Sequence, residues 1–209
     1  MTAVRPPFDE TFARPAPPEQ VDRTAAGLEA RGFAVHVVET ADAARKVVLD
    51  LLPTDRSIFT AGSETLRLSG LAAAIDESPE YRSVRRELAG RELSIPEQIR
   101  MGATPDVVVG SVHAITEDGV MLAASGSGSQ LGAYAASAPT AIWVVGAQKL
   151  VADLDTALRR IRTHSLPLEW DRVQRVHGRP STIGKILILE RELMPGRGTV
   201  VLVRAAIGF

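Results

Sequence analysis

Three stretches of the chain, Asp106-Val-Val-Val-Gly110, Val120-Met-Leu-Ala-Ala124 and Ala141-Ile-Trp-Val-Val-Gly146, are apolar without polar alternation. That is the pattern of strands covered on both faces. Elsewhere apolar residues recur at helical spacing. Val21, Ala25 and Leu28 make a stripe that begins at Pro18 and stops where Gly32 follows Arg31. Ala44, Val47, Val48, Leu51 and Leu52 make a second, with Thr40 in position to cap it and Pro53 to end it. The clearest helix follows Lys149: Val151, Leu154, Leu158 and Ile161 share a face. Asp153 and Asp155 near its start and Arg159, Arg160 and Arg162 near its end complement the helix dipole.

Phe33–Val38 and Ser57–Thr60 read as further strands, the second running directly into a small-residue turn and a helix. Ser125–Gln130 feeds a helix through Ala136, and short helices are expected around Val84–Leu88 and Gln98–Met101. Lys185–Glu190 and Thr199–Arg204 read as two strands joined by Met194-Pro-Gly-Arg-Gly198, a turn-rich connection that predicts a C-terminal β-hairpin. Residues 1–18 carry five prolines and read as an irregular N-terminal arm, with residues 19–209 as a single domain. The alternation predicts an α/β fold: a mainly parallel central sheet with helices on both faces. In such sheets ligands gather at the carboxyl ends of strands.

Composition narrows the function. A net charge of −1 and no long Lys/Arg run supply no counterion-releasing surface for nucleic acid. Arg85-Arg86 and Arg159-Arg160 read as solvated helix faces. The absence of Cys excludes disulfides, thiol nucleophiles and protein-thiolate iron–sulfur ligation within the chain, so no cofactor is expected. No apolar run is long enough to cross a membrane as a helix and the N-terminus lacks a signal-peptide core, which reads as a cytoplasmic protein. His36, within an apolar strand, reads as structural, and His164 and His177 lack metal-ligand spacing. Only Lys46, Lys149 and Lys185 are lysines.

Four segments carry candidate chemistry. In Thr60-Ala-Gly-Ser-Glu-Thr65, Gly62, Ser63, Glu64 and Thr65 stand between a strand and a helix, where N–H groups favour an anion; Ser63 is equally placed to be a simple N-cap. In His113-Ala-Ile-Thr-Glu-Asp-Gly119, Glu117 and Asp118 can act as acid or base, or Asp118-Gly119 can be a plain turn. Ser125, Gly126, Ser127, Gly128, Ser129 and Gln130 offer several donors before a helix, without the spacing of a Walker A or dinucleotide loop. Lys149, just beyond a buried strand, can present a point charge or lie along the surface.

Taken together, Phe59-Thr-Ala-Gly-Ser-Glu-Thr-Leu, Ala114-Ile-Thr-Glu-Asp-Gly, Gly-Ser-Gly-Ser-Gln and Val144-Val-Gly-Ala-Gln-Lys-Leu-Val-Ala-Asp-Leu resemble the LUD (lactate-utilization) domain family, in the family's order, from about residue 20 onward. The resemblance implies a fold similar to ribose-5-phosphate isomerase, glucosamine-6-phosphate deaminase and the CoA transferases. It also implies a link to lactate utilization alongside partner subunits that bear iron–sulfur clusters, and it raises Lys149 as a site residue. Many single-domain members have cysteines near the C-terminus, and residues 165–185 here contain none. Many also carry an Asp-Gly, Gly-Asn-Arg type of sequence where this chain has Ser125–Gln130.

Three functions follow as expectations. The first is binding of a small anionic metabolite, an organic acid, sugar phosphate or CoA ester, at the strand-end loops. The second is a free-standing isomerase-like or acyl-transfer enzyme using Glu117 or Asp118 with Lys149. The third is a non-catalytic subunit whose Gly/Ser loops are only tight turns.

Overall fold

The computed structural model describes residues 4–209, so the first three residues of the expected arm lie outside the described residues. In chain order the elements are α1 (Pro18–Ala30), β1 (Ala34–Val38), α2 (Ala41–Leu51), β2 (Ser57–Thr60), α3 (Glu64–Leu68), α4 (Leu71–Asp76), β3 (Arg82–Ser83), α5 (Val84–Ala89), α6 (Ile95–Ala103) and β4 (Val107–Gly110). There follow β5 (Ala114–Thr116), β6 (Met121–Ser125), β7 (Thr140–Gly146), β8 (Leu150–Val151), α7 (Leu154–Arg160), α8 (Leu166–His177), β9 (Lys185–Leu189) and β10 (Gly198–Val203). Thr40 caps α2 by accepting from the Ala43 N–H, as its position before the apolar stripe predicts.

Six strands form the central sheet in the order β1-β10-β7-β4-β2-β3, all parallel. Successive residues point to opposite faces. Val107, Val109, Ile142, Val144, Val201 and Val203 meet Ala44 and Val48 of α2, Leu66 of α3, and Leu71 and Ile75 of α4. Val108, Ala141, Trp143, Val145, Val200 and Leu202 face the other way. There they meet Val21 and Leu28 of α1, Val84 of α5, and Ile115, Met121 and Ala123 of a second sheet. Trp143 lies edge-on between Phe33 and Tyr134, with centroids 6.0 and 5.6 Å away.

The second sheet, ordered β8-β5-β6-β9, was not legible in the sequence. Its β6 is antiparallel to both neighbours. One face is the layer just named; the other, with Ala114, Leu122 and Ala124, packs on Ala157 of α7, Ile161 and Phe12. The run at 120–124 is therefore doubly covered as expected, yet belongs to a different sheet from β4 and β7. An unbroken apolar run reports two buried faces and carries nothing about which neighbours supply them.

The two C-terminal strands both form, but they do not pair with each other as the expected hairpin requires. β9 pairs with β6 and β10 lies between β1 and β7, so the turn at 194–198 passes the chain between sheets. Among the described residues the arm is irregular apart from one short turn at Glu10–Ala13, and it is fastened to the body. The Asp9 N–H donates to the Thr163 carbonyl at 2.7 Å, and Phe12 is buried. His36, read as structural, lies exposed on β1, an edge strand of the central sheet.

Candidate functional site

The carboxyl ends of β2, β4, β6 and β7 open into one cleft of about 810 Å3. Its lining includes Gly62, Ser63 and Glu64 after β2, Ser111, Val112 and His113 after β4, Ser125–Ser127, Ser129 and Gln130 after β6, and Lys149 after β7. Helix α8 supplies Glu169 and Arg172.

Lys149 is the centre of the arrangement. The short turn Ala147–Lys149 that follows β7 directs it inward, and the residue is 1% exposed. Its Nζ donates to Thr65 Oγ1 at 2.9 Å and to Ser111 Oγ at 3.0 Å. Both hydroxyls donate their own protons elsewhere, Thr65 to the Ile207 carbonyl and Ser111 to the Val112 carbonyl, so each accepts from the lysine. The Ile207 carbonyl is held in turn by Gln148 Nε2 at 2.9 Å. No carboxylate among the described residues is within ion-pair distance of Nζ. Burial, and then the nearby Arg160 guanidinium, push the amine's pKa well below that of a free lysine.

Behind the floor lies Arg160, fully buried. It donates through Nε to the Gln148 carbonyl at 3.1 Å, and through Nη1 to Ser165 Oγ at 3.0 Å and to the His113 carbonyl. Its Nη2 has no partner. Desolvation lowers its pKa to about 9, which leaves it charged at neutral pH. His113 Nδ1 accepts from the Ala124 N–H at 3.1 Å, so the ring is neutral and carries its proton on Nε2. Burial, then Lys149 and Arg160, push its pKa down to about 3, which keeps it neutral.

Four arginines, Arg67, Arg85, Arg172 and Arg179, line the cleft together with Lys149, against three side-chain carboxylates, Glu64, Asp76 and Glu169. Glu64 pairs with Arg67 and Glu169 with Arg172, each within one helical turn. Asp76 accepts from the Thr60 and Ser83 hydroxyls at 2.7 Å each. Arg85, Arg179 and Lys149 form no ion pair among the described residues, although Asp76 is near enough to Arg85 to favour its charge. Arg85 stacks over Phe59, 5.2 Å from the ring centroid, and donates to the Thr60 carbonyl.

The residues singled out in the sequence separate into three groups. Gly62, Ser63, Glu64, Lys149 and most of Ser125–Gln130 line the cleft, and Thr65 lies just behind it on Lys149. Ser63 is also the N-cap of α3, accepting from the Leu66 N–H. Within the serine loop, Gly128 does not line the cleft: it turns the backbone at φ +88°, and its N–H binds Ser125 Oγ at 2.9 Å. The Ser129 N–H binds Ser127 Oγ at 3.3 Å. The loop thus offers fewer free donors than its composition suggests.

Glu117 and Asp118 are outside the cleft. They occupy the β5–β6 turn and face α1, where Glu117 pairs with Arg23 and Asp118 with Arg31. Gly27 and Gly119 make this contact: a Cβ on Gly27 would stand 2.7 Å from the Asp118 carbonyl carbon, and one on Gly119 2.5 Å from the Gly27 carbonyl carbon. Hydrogen bonding from Thr116, and then from Arg31, holds the Asp118 carboxyl below the usual range, so it is an ionised structural anchor. The expected acid or base pair is therefore not part of this site.

Ser111, His113, Arg85 and Arg160 were missed in the sequence. The strand-end rule applied to β4 points to Ser111 and His113. Nothing in the sequence distinguishes Arg160 from Arg159, whose guanidinium lies 5.2 Å from the Phe12 ring centroid near the surface. Arg85 and Arg160 were both expected on solvated faces. A π-turn at Ile161–Ser165 joins α7 to α8, and the buried face of this segment runs through Ala157, Arg160, Ile161 and His164. Leu154, expected in the apolar stripe, is 39% exposed.

Among the described residues no cluster of His, Asp and Glu is placed to hold a metal ion, and no helix is long and apolar enough to cross a membrane. A structural neighbour is the crystal structure of a DUF162 family protein from Deinococcus radiodurans, 16% identical, with a TM-score of 0.55 over 88% of this chain and 96% of that one. A search of curated proteins finds no match. The family model of the LUD domain matches residues 21–203, which takes in every strand and the whole cleft floor, and the chain belongs to the LUD domain family.

Proposed function

We propose that the protein binds a small anionic metabolite, an organic acid, sugar phosphate or CoA ester, in the cleft at the carboxyl ends of its strands. The observation that carries this reading is Lys149, a buried basic group with hydroxyl partners and no carboxylate. Protonating this amine is costly in the free protein, which is why its pKa is lowered, and a ligand of opposite charge offsets that cost. Arg85 and Arg179 extend the positive wall, and 810 Å3 is a volume suited to a metabolite. The isomerase-like reading loses its acid or base, because Glu117 and Asp118 are committed to α1. An accessory role in organic-acid oxidation, with iron–sulfur clusters on partner subunits, fits a chain without Cys.

The test is a thermal-shift panel of inorganic phosphate, C2 to C4 organic acids, sugar phosphates and CoA esters. A ligand at one hundred times its Kd stabilises by about 2.7 kcal/mol, roughly 5–10 °C in Tm for a chain of this size. Lys149→Met is expected to abolish the shift. The absence of any shift across the panel would refute the reading.

A further inference from the structure

We propose that Lys149 is a nucleophilic amine that forms an imine with an aldehyde or ketone carrying an anionic group. This deepens the anion-binding reading and rests on it. The geometry begins with the tetrahedral nitrogen. Two of its directions are N–H bonds to Thr65 Oγ1 and Ser111 Oγ, 2.9 and 3.0 Å away, and the third is the side-chain carbon. Because both hydroxyls donate to backbone carbonyls, neither supplies a proton to the nitrogen. The fourth direction has no partner among the described residues, and Lys149 lines the cleft.

An ammonium would put a third N–H there with no acceptor, beside the buried guanidinium of Arg160 and with no carboxylate in reach. A neutral amine satisfies both hydrogen bonds and leaves a lone pair at that position. The lowered pKa of the group accords with this.

The step balances without an oxidant or reductant. The nitrogen lone pair attacks the carbonyl carbon, the C=O π pair moves to oxygen, and one N–H proton is transferred to that oxygen to give a carbinolamine. The C–O bond then breaks with the nitrogen lone pair forming C=N, the remaining N–H proton passes to the departing oxygen so that it leaves as water, and the neutral imine takes up a proton from solvent in the cleft. Ser111 Oγ touches the nitrogen, and His113 presents a neutral Nε2–H on the same floor, suited to hydrogen-bond the oxygen as charge develops on it. The anionic group offsets the charge of a protonated imine, and Arg85 and Arg179 are the cleft-lining arginines that form no ion pair among the described residues.

The experiment traps the imine by borohydride reduction and maps it by peptide mass spectrometry. Glyoxylate is the probe, as the smallest aldehyde bearing a carboxylate, with acetaldehyde as its uncharged counterpart. The chain's other two lysines, Lys46 and Lys185, are exposed and serve as internal controls. At pH 7 the expected result is at least tenfold more glyoxylate adduct on Lys149 than on either control, and severalfold less with acetaldehyde at equal concentration. Lys149→Arg keeps a cation but cannot form the imine, so it should lose the adduct while retaining a thermal shift with carboxylates. Adduct on Lys46 and Lys185 but not on Lys149, with the carboxylate thermal shift intact, would overturn the imine and leave anion binding standing. Equal labelling of Lys149 by acetaldehyde would overturn the requirement for an anionic group. Loss of both adduct and thermal shift would sink the two proposals together.

Discussion

Replacing Lys149 with methionine should remove a pH dependence of stability that few lysines impose. A lysine that gains an acidic partner on folding has its pKa raised. Lys149 gains none and is desolvated beside Arg160, so its folded-state pKa falls below the value of roughly 10.4 that it has in the unfolded chain. Between those two values the unfolded state binds a proton that the folded state does not, and stability therefore rises with pH. The slope approaches about 1.4 kcal/mol per pH unit, roughly 3–6 °C in Tm for a chain of this size. Below the folded-state value both states are protonated and the contribution is at its constant minimum; above the unfolded value neither is. Methionine keeps much of the side-chain volume and loses the bonds to Thr65 and Ser111, a roughly constant offset of about 1–3 kcal/mol for the two. Urea unfolding of both proteins at intervals from pH 7 to 9 reads the difference between the two curves. Parallel curves would refute the reasoning, since they would mean that the folded protein supplies Lys149 with a countercharge.

Arg197→Met should cost about 3–5 kcal/mol, because it leaves a buried carboxylate and several carbonyls unpaired. Arg197 is 3% exposed, pairs with Glu192 at 2.6 Å, and donates to the Ala138, Ala133 and Tyr134 carbonyls at 2.9–3.0 Å. Urea unfolding measures this loss, and a cost under 1 kcal/mol would contradict it. Glu117→Gln and Asp118→Asn should leave the thermal shift with anions within error of the parent protein. A shift lost in either would return those carboxylates to the site.

The periodicity of the sequence by itself determined most of the elements and the parallel character of the central sheet. Unbroken apolar runs at β4 and β7 require cover on both faces, and stripes such as Ala44 and Val48 require a surface to lie on. The Thr40 cap and Gly32, at φ +89°, were readable for a local reason: the backbone geometry at a helix end is fixed by a few adjacent residues. The family resemblance placed Gly62–Thr65, Ser125–Gln130 and Lys149 around one site. Tertiary structure decided what local patterns leave open. It sent β6 and β9 to a second sheet, because an apolar strand specifies burial and not its partner. It turned Asp118 toward α1, because two glycines let that turn reach the helix. It buried Arg160 and left Arg159 near the surface, a distinction of about one helical step that charge alone does not encode. It also joined Thr65, Ser111 and Lys149, separated by up to 84 positions in the chain, around one nitrogen. The chemical character of that nitrogen depends on which groups surround it and on the water they exclude, and both are properties of the folded chain.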